Sequence, residues 1–270
     1  MRGSSRGAYA AGQRALVQAQ QSGLDWSILV ENLFSMTAVL DHNASLRRAL
    51  TDPSRDGAAR RGLVSAVFAG RVSEPAVAVV GELAAQRWSE ERDLSDAVEL
   101  LAVETVIASA EAGHRLDAVE DELFRLSRVV TGNTGLREAL WDRGRSAADK
   151  ETLIGRLVAG KVAPETLRLA TQAIHAPRGR HFDRVLEQYV AAVARRREQL
   201  TAVVTAAVPL DETQRHRLAQ ALTGIYGKPV QVNVILDPEV VGGIRVQVGS
   251  EVVDGTILRR LEEARRLLAG

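Results

Sequence analysis

Apolar residues recur every three to four positions through most of the chain, the spacing that predicts amphipathic helices. A first series of such segments has Gly70 after one helix and Pro75 at the start of the next. Gly is a common helix terminator, and Pro suits a first turn because its missing N–H is not needed there. The helices predicted in this series cover residues 29–41, 46–51, 58–68, 75–88 and 94–112.

A second series of helical segments follows in the same order. Gly160 and Pro164 stand at the same kinds of helix boundary as Gly70 and Pro75. The helices predicted in this series cover residues 116–130, 136–141, 147–158, 164–176 and 182–200.

The two series are alike in sequence as well as in pattern. Residues 33–72 and 123–162 align without a gap at an offset of 90, and 15 of the 40 pairs are identical. Random pairing at ordinary composition would give roughly three. We interpret this as a tandem duplication of a helical unit. The helix at 94–112 has no internal Pro or Gly, and we expect it to end the first unit and begin the second.

Alternation with a period of two replaces the helical spacing near the end of the chain and predicts strands. It runs through residues 230–234 and 244–248, and the Val- and Thr-rich segment 201–208 also reads as a strand. Asp211 and Gln214 form a capping-box pattern that opens a helix between the first two strands.

The last residues predict one more strand and one more helix. Gly249-Ser250 suits a tight turn into a short strand at 251–253, and a helix follows with Ile257 and Leu261 on its apolar face. The expected fold class is therefore mainly α, with two tandem helical bundle units followed by a small α/β C-terminal domain. We place the units at residues 1–105 and 106–200, and the α/β domain at 201–270.

Composition narrows the function classes. Apolar residues make up 46% of the 270, enough for a core, and the absence of cysteine excludes disulfides and thiolate chemistry. The net charge of +1 shows no basic excess of the kind that nucleic-acid binders carry, so no nucleic-acid partner is expected. No apolar run approaches the ~20 residues that span a bilayer, and no signal peptide is recognised, so membrane association is expected only through partners.

No residue pattern points to catalysis, a metal or a cofactor. The five histidines form no metal-binding pair, and Ser and His occur without a nucleophile elbow. Residues 155–161 fit the phosphate-loop spacing, but Val162 replaces the magnesium-binding hydroxyl and a helix precedes the loop. Two basic clusters, at 178–181 and 195–197, favour either docking to an acidic partner or a solvated helix end.

The C-terminal residues carry a family resemblance. The ordered matches are Asp237-Pro238, Gly242 to Val246, Val248-Gly249 and Asp254-Gly255, preceded upstream by residues 203–210. They resemble the C-terminal signature of the delta subunit of F-type ATP synthases, the bacterial relative of the mitochondrial oligomycin-sensitivity-conferring protein. The resemblance covers nearly the whole chain, with one bundle more than the usual six-helix N-terminal domain, as in lengthened actinobacterial forms.

The resemblance implies a non-catalytic stator subunit of the proton-translocating ATP synthase. In that family the helical bundle holds the N-terminal helix of an alpha subunit of the catalytic head, and the C-terminal domain joins the b-subunit stalk. The joint resists rotary torque. The location implied is peripheral, at the cytoplasmic face of the cell membrane. The alternative from another class is a free-standing helical adaptor unrelated to ATP synthesis, which would have no reason to carry the C-terminal signature.

The resemblance also places partner-binding residues. The family's groove lies between the first and fifth helices of the bundle, and an amphipathic helix in such a groove is held by apolar anchors at helical spacing. Two hypotheses stay open: each unit holds its own alpha subunit, or one unit has lost binding and only extends the stalk. The expected contacts are Val79, Leu83 and Ala84 in the first unit, Leu167, Ala170 and Ile174 in the second, and Ile257 and Leu261 for the b subunit.

Overall fold

The computed structural model describes residues 3–198, 200–226, 229–238, 240, 242–248 and 251–254. The chain divides into two compact units, residues 1–193 and 194–270. The first is helical and the second contains a small sheet, so the mainly α class with a small α/β part is confirmed. The finer division at residues 105 and 200 stays a prediction.

The helical unit begins with a series that follows the predicted order, preceded by one further helix. That helix, α1, covers Ser4–Gln21. The others are α2 (Trp26–His42), α3 (Ala44–Thr51), α4 (Gly57–Phe68), α5 (Glu74–Ala85) and α6 (Glu91–Ala112). The second series is α7 (Leu116–Gly132), α8 (Thr134–Trp141), α9 (Ala147–Val158), α10 (Pro164–His175) and α11 (Phe182–Glu198).

The helix boundaries follow from local chemistry. Asp56 accepts a hydrogen bond from the Ala59 N–H at 2.6 Å, and Ser146 accepts one from the Asp149 N–H at 3.1 Å, so α4 and α9 are capped in the same way. Gly70 and Gly160 follow these helices with φ of 73° and 66°, a conformation that costs glycine little.

The duplication is visible in three dimensions. Helices α2 to α5 and α7 to α10 begin and end at residues that differ by 90 throughout. We call residues 4–112 the first repeat and residues 91–198 the second repeat, with α6 belonging to both. Helix α6 packs against α1, α2, α3 and α5 of the first series and against α7 and α10 of the second. The expectation that this helix serves both series is therefore confirmed.

Burial of α6 makes the helical unit a single core. Thirteen of its 22 residues are buried, which is far more than the single stripe of a surface helix. One hydrophobic cluster accordingly runs from Ala15 through Leu101 to Val193, across both repeats. The repeats therefore cannot separate without exposing apolar surface, and that exposure costs a free energy of about 25 cal/mol for each Å².

The second unit is the predicted strand-helix-strand arrangement. Strand β1 (Leu200–Ala206) is followed by α12 (Glu212–Tyr226) and β2 (Val230–Leu236), and then by β3 (Ile244–Val248) and β4 (Glu251–Asp254). The order in the sheet is β2-β1-β3-β4, with β1 parallel to β2 and the other neighbours antiparallel. A helix connects the parallel pair because a hairpin cannot join parallel strands.

The core of the sheet unit contains Ala202 and Val204 of β1, Leu222 of α12, and Val246 and Val248 of β3. The capping box is present as predicted. The Asp211 N–H donates to Gln214 Oε1 at 2.9 Å, and the Gln214 N–H donates to Asp211 Oδ1 at 2.7 Å. The turn at 249–250 and the helix predicted over 257–268 lie outside the described residues.

Close packing of α1 depends on a glycine. A Cβ atom at Gly12 would lie 2.4 Å from Leu83 Cδ2 and 3.0 Å from Leu101 Cδ1, and both leucines are fully buried. Neither can swing towards solvent, so α1 approaches α5 and α6 only because position 12 has no side chain. Gly7 lies on the same helix with nothing within 4 Å of the corresponding point.

These two glycines give a matched test of the packing. Gly7→Ala should raise the free energy of unfolding by about 0.5–1 kcal/mol, the gain in helix propensity. Gly12→Ala gains the same propensity but overpacks the core, which costs about 1–3 kcal/mol. We therefore expect Gly12→Ala to be the less stable variant by at least about 1 kcal/mol in urea unfolding. Equal stabilities would contradict the close approach of α1.

Candidate partner-binding surfaces

The positions expected to contact a partner in the first repeat are core residues. Val79, Leu83 and Ala84 of α5 have no exposed surface. They lie beneath neighbouring helices because the most strongly periodic apolar positions of a helix are those that face the core. A partner reaches them only if a neighbouring helix moves aside, so their role as contacts stays a prediction.

The second repeat is different at one of its three expected positions. Ala170 and Ile174 of α10 are buried, at 0% and 8% exposure, whereas Leu167 is 40% exposed. Leu167 is therefore accessible to a partner without rearrangement. The stalk-binding candidates Ile257 and Leu261 lie outside the described residues.

Leu167 lines a groove between α2 of the first repeat and α10 of the second. The groove encloses about 570 Å³, and Phe34, Ala38 and Pro164 contribute apolar walls. Both helices pack on α6, so they lie side by side with the groove between them. The sequence did not predict this groove, because its walls are more than 100 residues apart.

A charged bridge crosses the groove. Arg168 of α10 pairs with Glu31 of α2, with Nη2 donating to Glu31 Oε2 at 3.1 Å. The Arg168 guanidinium carbon also lies 4.2 Å from the centre of the Phe34 ring, within cation–π range. Phe34 is consequently only 5% exposed. A helix entering this groove would have to break the bridge and uncover the ring.

A cluster of ion pairs joins the segment after α10 to α2 and α6. Arg178, in the segment between α10 and α11, is only 8% exposed at its side chain. It pairs with Asp41 of α2 at 2.9 Å, with Glu99 of α6 at 3.0 Å, and with Asp96 of α6. Arg180 adds a longer contact to Glu99 at 3.8 Å.

The cluster decides between the two readings of the basic residues at 178–181 for Arg178. Arg178 is neither docked to an outside partner nor solvated at a helix end, because its charge is satisfied internally by three carboxylates. Sequence reasoning missed this role since the nearest of the three acids is about 80 residues away. The structure also gives Arg178 a positive φ of 48°, which is uncommon for a residue other than glycine.

Burial sets the electrostatics of the cluster. Desolvation raises the pKa of Glu99 and of Asp96, and the Arg178 guanidinium opposes that rise. Gln172 of α10 also donates to Glu99 Oε1 at 3.4 Å. The chemistry available here is structural, because each charged group has a charged partner within the protein.

No group of side chains among the described residues has the composition of a metal site. The segment with phosphate-loop spacing begins inside α9, and a helix rather than a strand precedes its second glycine. Within the same described ranges, none of the helices is long and apolar enough to cross a membrane.

The sheet unit has its own exposed apolar residues. Ile225 near the end of α12 is 73% exposed, and Leu236 at the end of β2 is 54% exposed. β2 is an outer strand of the described sheet.

Comparison with known proteins identifies the relatives of the chain. Residues 103–268 match the family model described as ATP synthase delta (OSCP) subunit. The protein named ATP synthase subunit delta from Kineococcus radiotolerans is 48% identical over 269 residues, which are 99% of this chain and 98% of that protein. Its namesake from Streptomyces coelicolor is 44% identical over 270 residues, with coverage of 100% and 98%.

A third relative of the same name, from Thermobifida fusca, is 45% identical over 242 residues, covering 90% of each chain. The family model begins within α6, so it covers most of the second repeat and the sheet unit. The relatives align across the first repeat as well.

The buried cluster yields a stability test. Arg178→Met should lower the free energy of unfolding by about 2–4 kcal/mol at neutral pH, because the buried Glu99 and the partly exposed Asp96 lose their cation. The folded-state pKa values of Glu99 and Asp96 are raised, so protonation stabilises the folded chain as pH falls. Removing Arg178 raises these pKa values further, so the deficit should shrink as pH falls through them.

The measurement is urea unfolding of both proteins from pH 7 to pH 4.5. Arg125→Met is the matched control, because Arg125 pairs with Asp121 on an exposed face of α7 and should change stability by less than about 0.5 kcal/mol. A deficit for Arg178→Met that stays constant with pH would contradict the role assigned to the buried carboxylates.

Proposed function

The chain belongs to the ATP synthase delta (OSCP) subunit family, and on that basis we propose how its two repeats share the work of holding the catalytic head. As a member it is a non-catalytic subunit of the peripheral stalk, in a complex that couples proton transport to ATP synthesis. Membership leaves no support for the alternative of an unrelated helical adaptor.

The partner proposed for the helical unit is the N-terminal helix of an alpha subunit. The family's groove lies between the first and fifth helices of a bundle, which are α1 and α5 in the first repeat and α6 and α10 in the second. An amphipathic helix in such a groove gains affinity by burying an apolar face.

The observation that carries the proposal is the position of α2. This helix packs on α6 beside α10, and the Arg168–Glu31 bridge joins α2 to α10. The chain's own helix thus flanks the groove of the second repeat, where a partner helix would otherwise lie. Among the described residues of the first repeat, no ion pair equivalent to Arg168–Glu31 joins another helix to α5. Ala78 stands at the position equivalent to Arg168 and is exposed.

We therefore place the alpha-subunit helix on the outer face of α5 in the first repeat. Ala78 is exposed and Val77 is half-buried there, at the positions equivalent to Arg168 and Leu167. Glu74 and Glu82 are the only charged residues in α5, and Glu82 already pairs with Arg61 of α4 at 2.7 Å, so this face suits an apolar partner. Of the two hypotheses that the sequence left open, this placement favours the second, in which one unit has lost binding. One alpha-subunit helix is then held per chain, and the second repeat extends the stalk.

The partner proposed for the sheet unit is the b-subunit stalk. The exposed Ile225 and Leu236 support an apolar contact on the described part of this unit. Ile257 and Leu261 remain proposed contacts on the segment that follows. Peripheral attachment at the cytoplasmic face of the cell membrane would then come through the b subunit.

Calorimetric titration of the full chain with a peptide from the alpha subunit's N-terminus tests the proposal. We expect saturable binding at one site per chain. Ala78→Glu should weaken it by about tenfold or more, because a charge would be buried against an apolar helix face without a partner. Ala66→Glu, at an exposed alanine of α4, is the matched control and should bind as the parent does.

Leu167→Glu separates the two repeats. Since the second groove is flanked by α2, this change at an exposed side chain should leave both stoichiometry and affinity unchanged. Two sites in the parent chain, with one lost in Leu167→Glu, would show that both grooves work. Unaltered binding by Ala78→Glu would overturn the placement on α5.

A further inference from the structure

A small pocket in the second repeat has the composition of an anion site. It encloses about 150 Å³ between α8, the end of α10 and the start of α11. Leu140, Ile174 and Phe182 form apolar walls, and Arg143, Lys150 and Arg180 contribute positive charge. No carboxylate side chain of the described residues lines it.

Two of the three cations are uncommitted. The side chains of Arg143 and Lys150 make no hydrogen bond or ion pair with any part of the chain that the structure describes. Arg180 is partly committed, since its Nη1 donates to Gln188 at 2.6 Å and its Nη2 lies 3.8 Å from Glu99. The pocket therefore keeps a positive charge that the protein itself does not neutralise.

An aromatic pair stands beside the cations. Trp141, a lining residue, stacks on the His181 ring with centroids 3.7 Å apart and is still 39% exposed. An exposed indole at the edge of a cationic pocket resembles the anchors found at protein interfaces, where Trp and Arg are enriched.

The first repeat lacks this pocket, and the offset of 90 shows why. Arg60 stands at the position of Lys150, is 3% exposed, and donates to the carbonyl oxygens of Ala85 at 3.0 Å and Gln86 at 2.7 Å. It fills the space at the end of α5 and caps that helix. Pro53 stands in place of Arg143, and Thr51 in place of Trp141.

The difference between the repeats indicates that packing of the helices does not require this pocket. The first repeat shows that the fold is satisfied when a buried arginine caps the fifth helix. In the second repeat Lys150 replaces this arginine and makes no such capping bonds. Two residues with side chains suited to binding, Arg143 and Trp141, stand where the first repeat has Pro53 and Thr51. Nothing in the helical core requires either of them, because both are exposed.

We propose that this pocket binds a carboxylate of an acidic side chain, Glu or Asp, carried by a partner polypeptide. A guanidinium matches the planar carboxylate, and the apolar walls suit the methylene groups of the side chain. A phosphate dianion fits less well, since the carbonyl end of α10 carries partial negative charge. The site lies on the second repeat and is independent of the α5 surface proposed above.

The test is a titration of the ¹⁵N-labelled full chain, followed through its tryptophan indole N–H signals. Trp141 is assigned by Trp141→Phe, while Trp26 and Trp88 serve as internal references because they donate to Gln20 and Leu83 carbonyls. The probe is N-acetyl-Leu-Glu-amide, with N-acetyl-Leu-Gln-amide as its neutral match. We expect a saturable shift of the Trp141 signal alone, and only with the glutamate probe.

Variants assign the shift to the pocket. Arg143→Gln and Lys150→Gln should each weaken probe binding by about tenfold, the worth of a hydrogen bond to a charged group. Arg145→Gln is the matched control, because Arg145 lies on the same loop but pairs with Asp142 outside the pocket. Far-ultraviolet circular dichroism should be the same for all three.

The other outcomes each overturn the proposal. Equal shifts with the glutamate and glutamine probes would mean that charge is not recognised. A saturable shift with inorganic phosphate, but not with the glutamate probe, would identify a phosphate site instead. An unmoved Trp141 signal at the solubility limit of the probe would show that the pocket binds no carboxylate.

Discussion

The structure of the helical unit depends on the burial of α6 from two sides. A helix that closes one bundle and opens the next must be buried around most of its circumference, and α6 has 13 buried residues, ten of them apolar. Only small and medium side chains allow six neighbouring helices to approach it. The Ala- and Val-rich composition, with few aromatic residues, is therefore a requirement of this shared position.

Sharing a helix changes what duplication means mechanically. Two bundles joined by a linker would move independently, because few contacts cross a linker. Here the hydrophobic cluster runs through α6, and the Arg178 cluster ties the segment before α11 to α2 and α6. A subunit that transmits torque benefits from such continuity, since a stator works only if its parts do not turn against each other.

The repeats have diverged where packing leaves them free to do so. Position 168 is an arginine that joins α2 to α10, while its counterpart Ala78 is exposed. Position 60 is a buried arginine, while its counterpart Lys150 borders an open pocket. The buried counterparts Leu33 and Leu123, by contrast, are both leucines and both fully buried. Divergence at positions 60 and 78, with retention of the core leucines, is what different partners on a common scaffold would produce.

Eleven of the twelve described helices, the duplication, the strand order along the chain and the family could be read from the sequence, whereas α1 was missed and several helix ends shifted by two or three residues. These features depend on local periodicity, caps and short motifs, which act between residues close in the chain. The packed fold was needed to show that Val79 and Leu83 are core while Leu167 is exposed, and that Arg178 meets Asp41 and Glu99. Burial and ion pairing of this kind depend on which helix faces which, and that is fixed by packing between helices rather than by any pattern within one helix.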